Sequence, residues 1–384
     1  MEVKKNILVA PLNWGLGHAT RCIPIIRALI ENGFNPIIAS DGDALGLLKK
    51  EFPHTKAIRL PSYDIKYAKK GKNFKQKMFF NSPKILLAII QEHLVLKRII
   101  KDYRINGIIS DNRFGLFSKK IPCVYITHQL TVLSGKTTNL SSNIHHYFIK
   151  KYDSCWVPDL KQCNNLSGKL GHLNENHKLN IEYIGPLSRF EKKSIEKKYD
   201  LMVLLSGPEP QRTILEKKLF NILKTTNKKT LFVRGKVDSA PDSFDFGNIT
   251  FYNYMTSNEL ESAINASELI IARSGYTTIM DLAKLEKKAF FIPTPGQSEQ
   301  EYLAKRMDYL GLTPYSKQEN LSLEKLNKVL LYSGLKNFNS SINYQKLFNI
   351  FDEKKTTFYS SVKELEVLSK VKENSEPTPT SLST

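Results

Sequence analysis

The sequence is short of paired cysteines, long apolar runs and acidic side chains, and each shortage excludes something. Cys22, Cys123, Cys155 and Cys163 are scattered through 384 residues with no CxxC pair and no metal-ligand spacing. Reduced structural thiols are the economical reading. The longest apolar stretch, Ile85–Ile90, sits in a helical pattern broken by Gln91, Glu92 and Lys97. It is far short of the ~20 residues that cross a bilayer, so no transmembrane helix is expected. The strand-like run Val3–Ala10 follows no signal-peptide pattern, which predicts a cytoplasmic protein. Acidic residues are outnumbered 37 to 57 by Lys and Arg, a net charge of +20.

That charge is uneven. Residues 49–120 hold 18 Lys or Arg against 5 Asp or Glu, and 18 − 5 places +13 in one stretch. General solubility or a Lys-rich genome accounts for this as well as an anionic partner does. The candidate anions are membrane phospholipid, a lipid diphosphate acceptor and nucleic acid. From Phe74 to Tyr103 apolar side chains alternate with Lys75, Lys77, Lys84, Lys97 and Arg98, as in a helix lying peripherally on the inner face of a membrane. A packed core helix with solvated lysines explains much of the same pattern. No basic motif interleaved with aromatics points to a specific nucleic acid.

What is present is a strand and helix alternation, which argues for α/β architecture with parallel sheets covered on both faces. The predicted strands are 6–11, 36–40, 55–60, 107–110, 122–126, 154–157 and 181–184, then 201–205, 230–233, 249–252, 268–272 and 288–292. Ala19–Glu31 reads as a helix ending at Asn32-Gly33, and Pro83–Tyr103 as a long helix with a Ser-Pro start. The length fits two domains. They are placed at 1–190 and 199–340, with a charged linker over 186–198. A helical segment, 341–372, and a disordered tail, 373–384, follow.

Ligands of doubly wound sheets bind where strands lead into helices. In Asn13-Trp14-Gly15-Leu16-Gly17-His18, glycines Gly15 and Gly17 let backbone amides approach an anion, and the following helix contributes partial positive charge. The structural alternative is a tight corner. His18, on the first turn, suits a general base, or else caps the loop. Asp111, in Ser110-Asp111-Asn112-Arg113, is read equally as a group that orients or deprotonates an acceptor hydroxyl and as a helix cap. His128 and Gln129 either bind the acceptor or line the cleft. His145 and His146 are expected on a solvent face, and no metal site is read from the histidines.

The strongest signal is Ile270–Ala283, a strand, a turn at Arg273-Ser274-Gly275 and a helix opening with Thr277 and Thr278. Its amides and hydroxyls suit a diphosphate, and Asp281 could accept from two ribose hydroxyls. Gln297, Gln300 and Glu301 suit uncharged sugar hydroxyls. Ser206 and Gly207, after the first strand of this half, could reach the same diphosphate.

Arg-Ser-Gly, then an acid, then Pro-x-Pro-Gly-Gln-Ser-Glu-Gln-Glu-Tyr resembles the C-terminal domain of family 28 glycosyltransferases, and the order of motifs is similar over most of 1–320. The resemblance implies a GT-B fold, two Rossmann-like domains facing a cleft, and an inverting transfer from a nucleotide-sugar, UDP-linked by analogy, to an acceptor that in related enzymes is a glycolipid. It makes Asp281 the ribose ligand, Gln300 and Glu301 the counterpart of a Gln pair at the donor sugar, and Tyr254 and Met255 the base-binding segment. Arg189 falls where the family has an arginine near the linker. No cofactor and no catalytic metal are implied. A nucleotide-sugar epimerase of the same fold, or a nucleotide-sugar-binding protein without catalysis, fits the same motifs.

Overall fold

The computed structural model describes residues 4–63, 74–162, 164–174, 177–236, 243–338 and 340–352, with the side chains of 74–83 excepted. Cys163, the tail at 373–384 and most of the segment at 341–372 therefore lie outside the described residues, as does part of the basic stretch.

Two sheets organise the chain. The N-terminal one comprises β1 (Asn6–Pro11), β2 (Asn35–Ser40), β3 (Ala57–Arg59), β4 (Ile105–Asp111), β5 (Cys123–Ile126), β6 (Ser154–Val157) and β7 (Ile181–Tyr183). Its order is β3-β2-β1-β4-β5-β6-β7, with all neighbours parallel. The C-terminal sheet comprises β8 (Tyr199–Leu204), β9 (Thr230–Val233), β10 (Ser243–Phe246), β11 (Ile249–Tyr252), β12 (Ser267–Ala272) and β13 (Lys288–Phe291). Its order is β10-β11-β9-β8-β12-β13, parallel except for β10 against β11. Continuous apolar runs such as Ile7–Ala10 and Ile270–Ala272 are buried, as strands covered on both faces must be.

Helices α1 (Gly17–Glu31), α2 (Gly42–Glu51), α3 (Phe74–Asp102) and α4 (Thr138–Ile149) serve the first sheet. The second carries α5 (Gln211–Leu223), α6 (Ser257–Asn265), α7 (Tyr276–Lys284) and α8 (Ser298–Tyr309), followed by the short α9 (Leu323–Asn327) and α10 (Tyr344–Phe348). Sheet order reverses between β1 and β4 and again between β8 and β12. At these two switch points the strands' carboxyl ends open crevices. The loop Leu12–Leu16 and Asp111 border the first, and Ser206-Gly207 and Ser274-Gly275 border the second.

The lobes are in contact. One apolar cluster runs from Ile23 and Ile26 of α1 to Tyr276, Ile279 and Met280 of α7. Beyond the second sheet the chain returns to the first lobe, where Phe348 and Phe351 pack on Phe34 and Trp156 and Lys5 pairs with Asp352 at 2.6 Å.

Three expectations change. Strand β10 escaped the sequence reading, because every residue of Ser243–Phe246 is exposed and none is buried. Helix α3 begins at Phe74 rather than at Pro83, and Pro24 likewise sits inside α1. A proline removes one backbone donor and need not end a helix. His145 is not on a solvent face. It is buried under Phe114, its Nε2 lies 3.0 Å from the Tyr125 hydroxyl, and burial pushes its pKa down to about 4. His146 is half-buried, with Nε2 2.8 Å from the Leu130 carbonyl. Of the cysteines, Cys22, Cys123 and Cys155 are buried and form no disulfide.

Candidate active site

The first crevice is built by a turn and a helix. Gly15 adopts φ +76°, a left-handed conformation that side chains resist. This turn starts α1 with His18 on its first turn. Asp111 ends β4 with no exposure, and its backbone carbonyl accepts from Leu12 N at 2.9 Å. The His18 Nδ1 and Asp111 Oδ1 atoms are 2.8 Å apart.

Arg21, one helical turn beyond His18, is buried between them and was not anticipated. Its Nε donates to Asp111 Oδ2 at 2.5 Å, and Nη2 donates to Oδ1. Nη2 also lies 2.8 Å from His18 Nδ1, and Nη1 lies 3.0 Å from His128 Nδ1. Burial opposes the ionised form of Asp111, but the Arg21 charge and then His18 outweigh it and hold the carboxyl down at about 2. The signal in the sequence was the spacing, since residues three apart share a helix face.

The second lobe closes over this cluster. The His128 ring stacks on Tyr276, with centroids 4.3 Å apart and planes 7° apart, and the Tyr276 hydroxyl donates to the Pro158 carbonyl at 2.9 Å. His128 Nε2 lies 2.8 Å from Glu299 Oε1, while Gln129 Nε2 donates to Glu299 Oε2. Burial holds His128 below its ordinary value, with Glu299 opposing and Arg21 assisting. Sequence reasoning missed Tyr276 and Glu299 because both contacts cross between lobes.

Thr277 Oγ1 donates to the Gly17 carbonyl at 3.2 Å. A Cβ at Gly17 would sit 2.9 Å from that hydroxyl, so the absent side chain permits the approach. No side chain caps the start of either α1 or α7. Two helix N-termini, each carrying about half a positive charge, therefore meet at one cleft.

The remaining residues singled out in the sequence are distributed as follows. Arg273 is engaged within its own lobe. Its buried guanidinium donates to the carbonyls of Ile292, Pro293 and Gln211 and to Gln318 Oε1 at 2.7–3.2 Å. The side chain thereby ties together the segments at Gln211, Ile292-Pro293 and Gln318. Ser274 Oγ donates to the Gln300 carbonyl at 2.7 Å. Gln300 accepts from Thr294 N at 2.9 Å and donates to Gln297 Oε1 at 2.6 Å. Glu301 accepts from Gly296 N at 3.1 Å, so these side chains shape their own loop.

Asp281 is buried and accepts from Ser188 Oγ at 2.7 Å. Burial pushes its pKa up to about 6 against the pull of Arg189. Arg189 donates to Ser257 Oγ at 3.0 Å. Ser206 and Gly207 are exposed, Gly275 and Thr278 are half-buried, and Met255 lies against the core that joins the lobes. Tyr254 faces Lys50 of α2 at 6.0 Å.

Residues 211–358 match the model of the glycosyltransferase family 28 C-terminal domain. The chain carries a family 28 domain. It is a glycosyltransferase with the GT-B fold. It is 24% identical over 285 residues to the UDP-N-acetylglucosamine--N-acetylmuramyl-(pentapeptide) pyrophosphoryl-undecaprenol N-acetylglucosamine transferase of Buchnera aphidicola, covering 68% of this chain and 70% of that one. The Pasteurella multocida enzyme of the same description is 22% identical over 351 residues, covering 86% and 89%. Among solved structures, Acinetobacter baumannii MurG superposes with a TM-score of 0.55 at 12% identity, over 91% of this chain and 99% of that one. The glycosyltransferase SnogD of Streptomyces nogalater gives 0.57 at 13%, over 95% and 100%. In the family 28 domain of this chain, α7 supplies Tyr276 and Thr277 and α8 supplies Glu299, the residues that meet the first lobe.

Proposed function

We propose that this glycosyltransferase moves a hexosyl group from a UDP-sugar to a hydroxyl-bearing acceptor held by the N-terminal lobe, with inversion. The observation that carries the reading is the meeting of the uncapped starts of α1 and α7 beside the His18–Asp111 pair. Converging helix N-termini suit an anionic diphosphate, and an adjacent base suits the acceptor. UDP and N-acetylglucosamine are favoured by the names of the curated relatives.

In the proposed step His18 donates from Nδ1 to Asp111 and presents its Nε2 lone pair. The acceptor oxygen attacks the anomeric carbon, its proton passes to Nε2, and the bond to the diphosphate breaks. The departing charge falls toward the amides at Gly275–Thr278 and the start of α1. Asp281 exchanges Ser188 for ribose, and Tyr254 with Met255 and Arg189 border the base. Ser206, Gly207, Ser274, Gln297, Gln300 and Glu301 shape the diphosphate and sugar subsites. Gly15, Gly17, His128 and Gln129 belong to the acceptor side.

A lipid-linked acceptor at an anionic membrane from the cytoplasmic side extends this reading. Among the described residues no helix is long and apolar enough to cross a membrane. Leu86, Leu87, Ile90 and Leu94 of α3 and Leu140, Ile144 and Tyr147 of α4 are nonetheless exposed. Lys84, Lys97 and Arg98 lie on α3 near them, a composition suited to an anionic interface.

The test is calorimetric binding of UDP and of UDP-, TDP- and GDP-sugars, followed by UDP release in the presence of polyprenyl-diphosphate acceptors. UDP-sugar binding is expected, with Asp111→Asn and His18→Ala slowing transfer about 10²–10⁴-fold at little change in donor affinity. Absence of nucleotide binding, full turnover in His18→Ala, or isomerisation of the UDP-sugar without acceptor would overturn the reading.

A further inference from the structure

Helix α1 places His18 and Arg21 three residues apart, so imidazole and guanidinium lie side by side above Asp111. The guanidinium has five N–H donors and no acceptor. Its contact with His128 Nδ1 at 3.0 Å therefore requires that nitrogen to accept. The one proton of neutral His128 must then sit on Nε2, where Glu299 Oε1 takes it at 2.8 Å. A protonated His128 would aim a second N–H at Arg21.

His18 is held differently. Its Nδ1 has an acceptor, Asp111 Oδ1, and a donor, Arg21 Nη2, each at 2.8 Å. Only one can be satisfied at a time. Pairing with Asp111 leaves a lone pair on Nε2 and makes His18 a base. Pairing with Arg21 puts the proton on Nε2 and makes it a donor. The orientation of the Asp111 carboxylate decides between them, and the two-point grip of Arg21 through Nε and Nη2 fixes that orientation.

We propose that Arg21 is a positioning residue that locks the Asp111 carboxylate toward His18 and fixes the tautomer of His128, thereby setting both imidazoles of the site at once. This rests on the transfer reading given above. No family motif in the sequence marked this position. Among the described residues, the other titratable groups facing the cluster include Cys22 on α1, whose thiol is 3.7 Å from Asp111 Oδ2, Glu299 on α8, Tyr276 on α7 and Tyr125 on β5. None offers a second cation to replace Arg21.

The consequence is that one substitution should alter two histidines that lie on different elements. Removing the guanidinium leaves Asp111 buried without its main counter-charge and leaves His128 Nδ1 without a donor. Burial then favours the neutral carboxylic acid, which can itself donate a hydrogen bond to His18 Nδ1 and drive the opposite tautomer.

The experiment is histidine side-chain ¹⁵N NMR of the full chain, with and without UDP, on the wild type, Arg21→Met and Arg21→Lys. In the wild type His128 should show its proton on Nε2, and His18 its proton on Nδ1. In Arg21→Met both patterns should change, and transfer should fall about 10²-fold or more while UDP affinity stays within about twofold. If Arg21→Met does not fold, Arg21→Lys carries the test. A single ammonium cannot grip both Asp111 oxygens and reach His128, so at least one histidine must change. A folded variant with both tautomers unchanged overturns the positioning role. A wild type that binds no UDP overturns the transfer reading instead, so the two failures are distinguishable.

Discussion

His128 of the first lobe lies flat on Tyr276 of the second, with ring centroids 4.3 Å apart. Tyr276 is the first residue of α7, so the helix start proposed to hold the donor is joined directly to the acceptor side. On the proposed reading, this contact would link donor binding to closure of the cleft.

Truncation at this contact should be costly. Tyr276→Ala removes a ring that is 2% exposed and is expected to destabilise the protein by about 3–4 kcal/mol. Tyr276→Phe, which keeps the ring and loses the hydroxyl's bond to Pro158, should cost about 1 kcal/mol. Urea denaturation of both variants measures the difference, and equal losses would mean that the ring is not the main element of the contact.

Gly17 provides a test of how closely the lobes approach. Its replacement by alanine brings a Cβ to 2.9 Å from Thr277 Oγ1 and should both destabilise the protein and open the cleft. Thr277→Ala in the same chain removes the clashing oxygen. A double-mutant cycle should therefore show strong non-additivity, accompanied by recovery of compactness in small-angle scattering. Additive losses would show that the two positions act independently.

Asp281 should make stability fall between about pH 4 and 6. Its pKa is raised from 3.8 to about 6 by burial, so in that window the unfolded chain releases a proton that the folded one retains. At lower pH both states are protonated and nothing is lost. Above about pH 6 the cost is complete, about 3 kcal/mol at 1.36 kcal/mol per unit. Asp281→Asn should be more stable above pH 6 with this slope removed, while binding UDP more weakly. Urea midpoints across pH 4–8 and calorimetry decide both points.

Lys287 should contribute the opposite slope at higher pH. Its buried ammonium donates to the carbonyls of Asn265 and Ser267 at 3.0 and 2.9 Å. Burial, with repulsion from Lys197 and Lys192, holds it well below the usual lysine range. The unfolded chain binds more protons there, so stability should rise with pH above about 7 and level off near the ordinary lysine value. Lys287→Met should flatten this part of the curve in thermal melts from pH 7 to 10.

The strand runs, the two glycine turns and the position of His18 were legible because each is a local pattern: an apolar run between turns, or a glycine where strand meets helix. These were enough to place β1, β4, β8 and β12 and hence the loops at both switch points. The setting of Arg273 was not legible, because nothing local reveals that four acceptors of its own lobe engage its guanidinium.

The sequence by itself determined two mainly parallel sheets and a helix after each of the two glycine turns, since hydrophobic periodicity and turn chemistry act over a few residues. Only the tertiary structure decided that Arg21 grips Asp111 across 90 positions of chain, that Glu299 reaches His128 and that Asp281 meets the linker. Those pairings depend on how two lobes dock, and docking energy comes from surfaces assembled from distant segments, which no local pattern encodes.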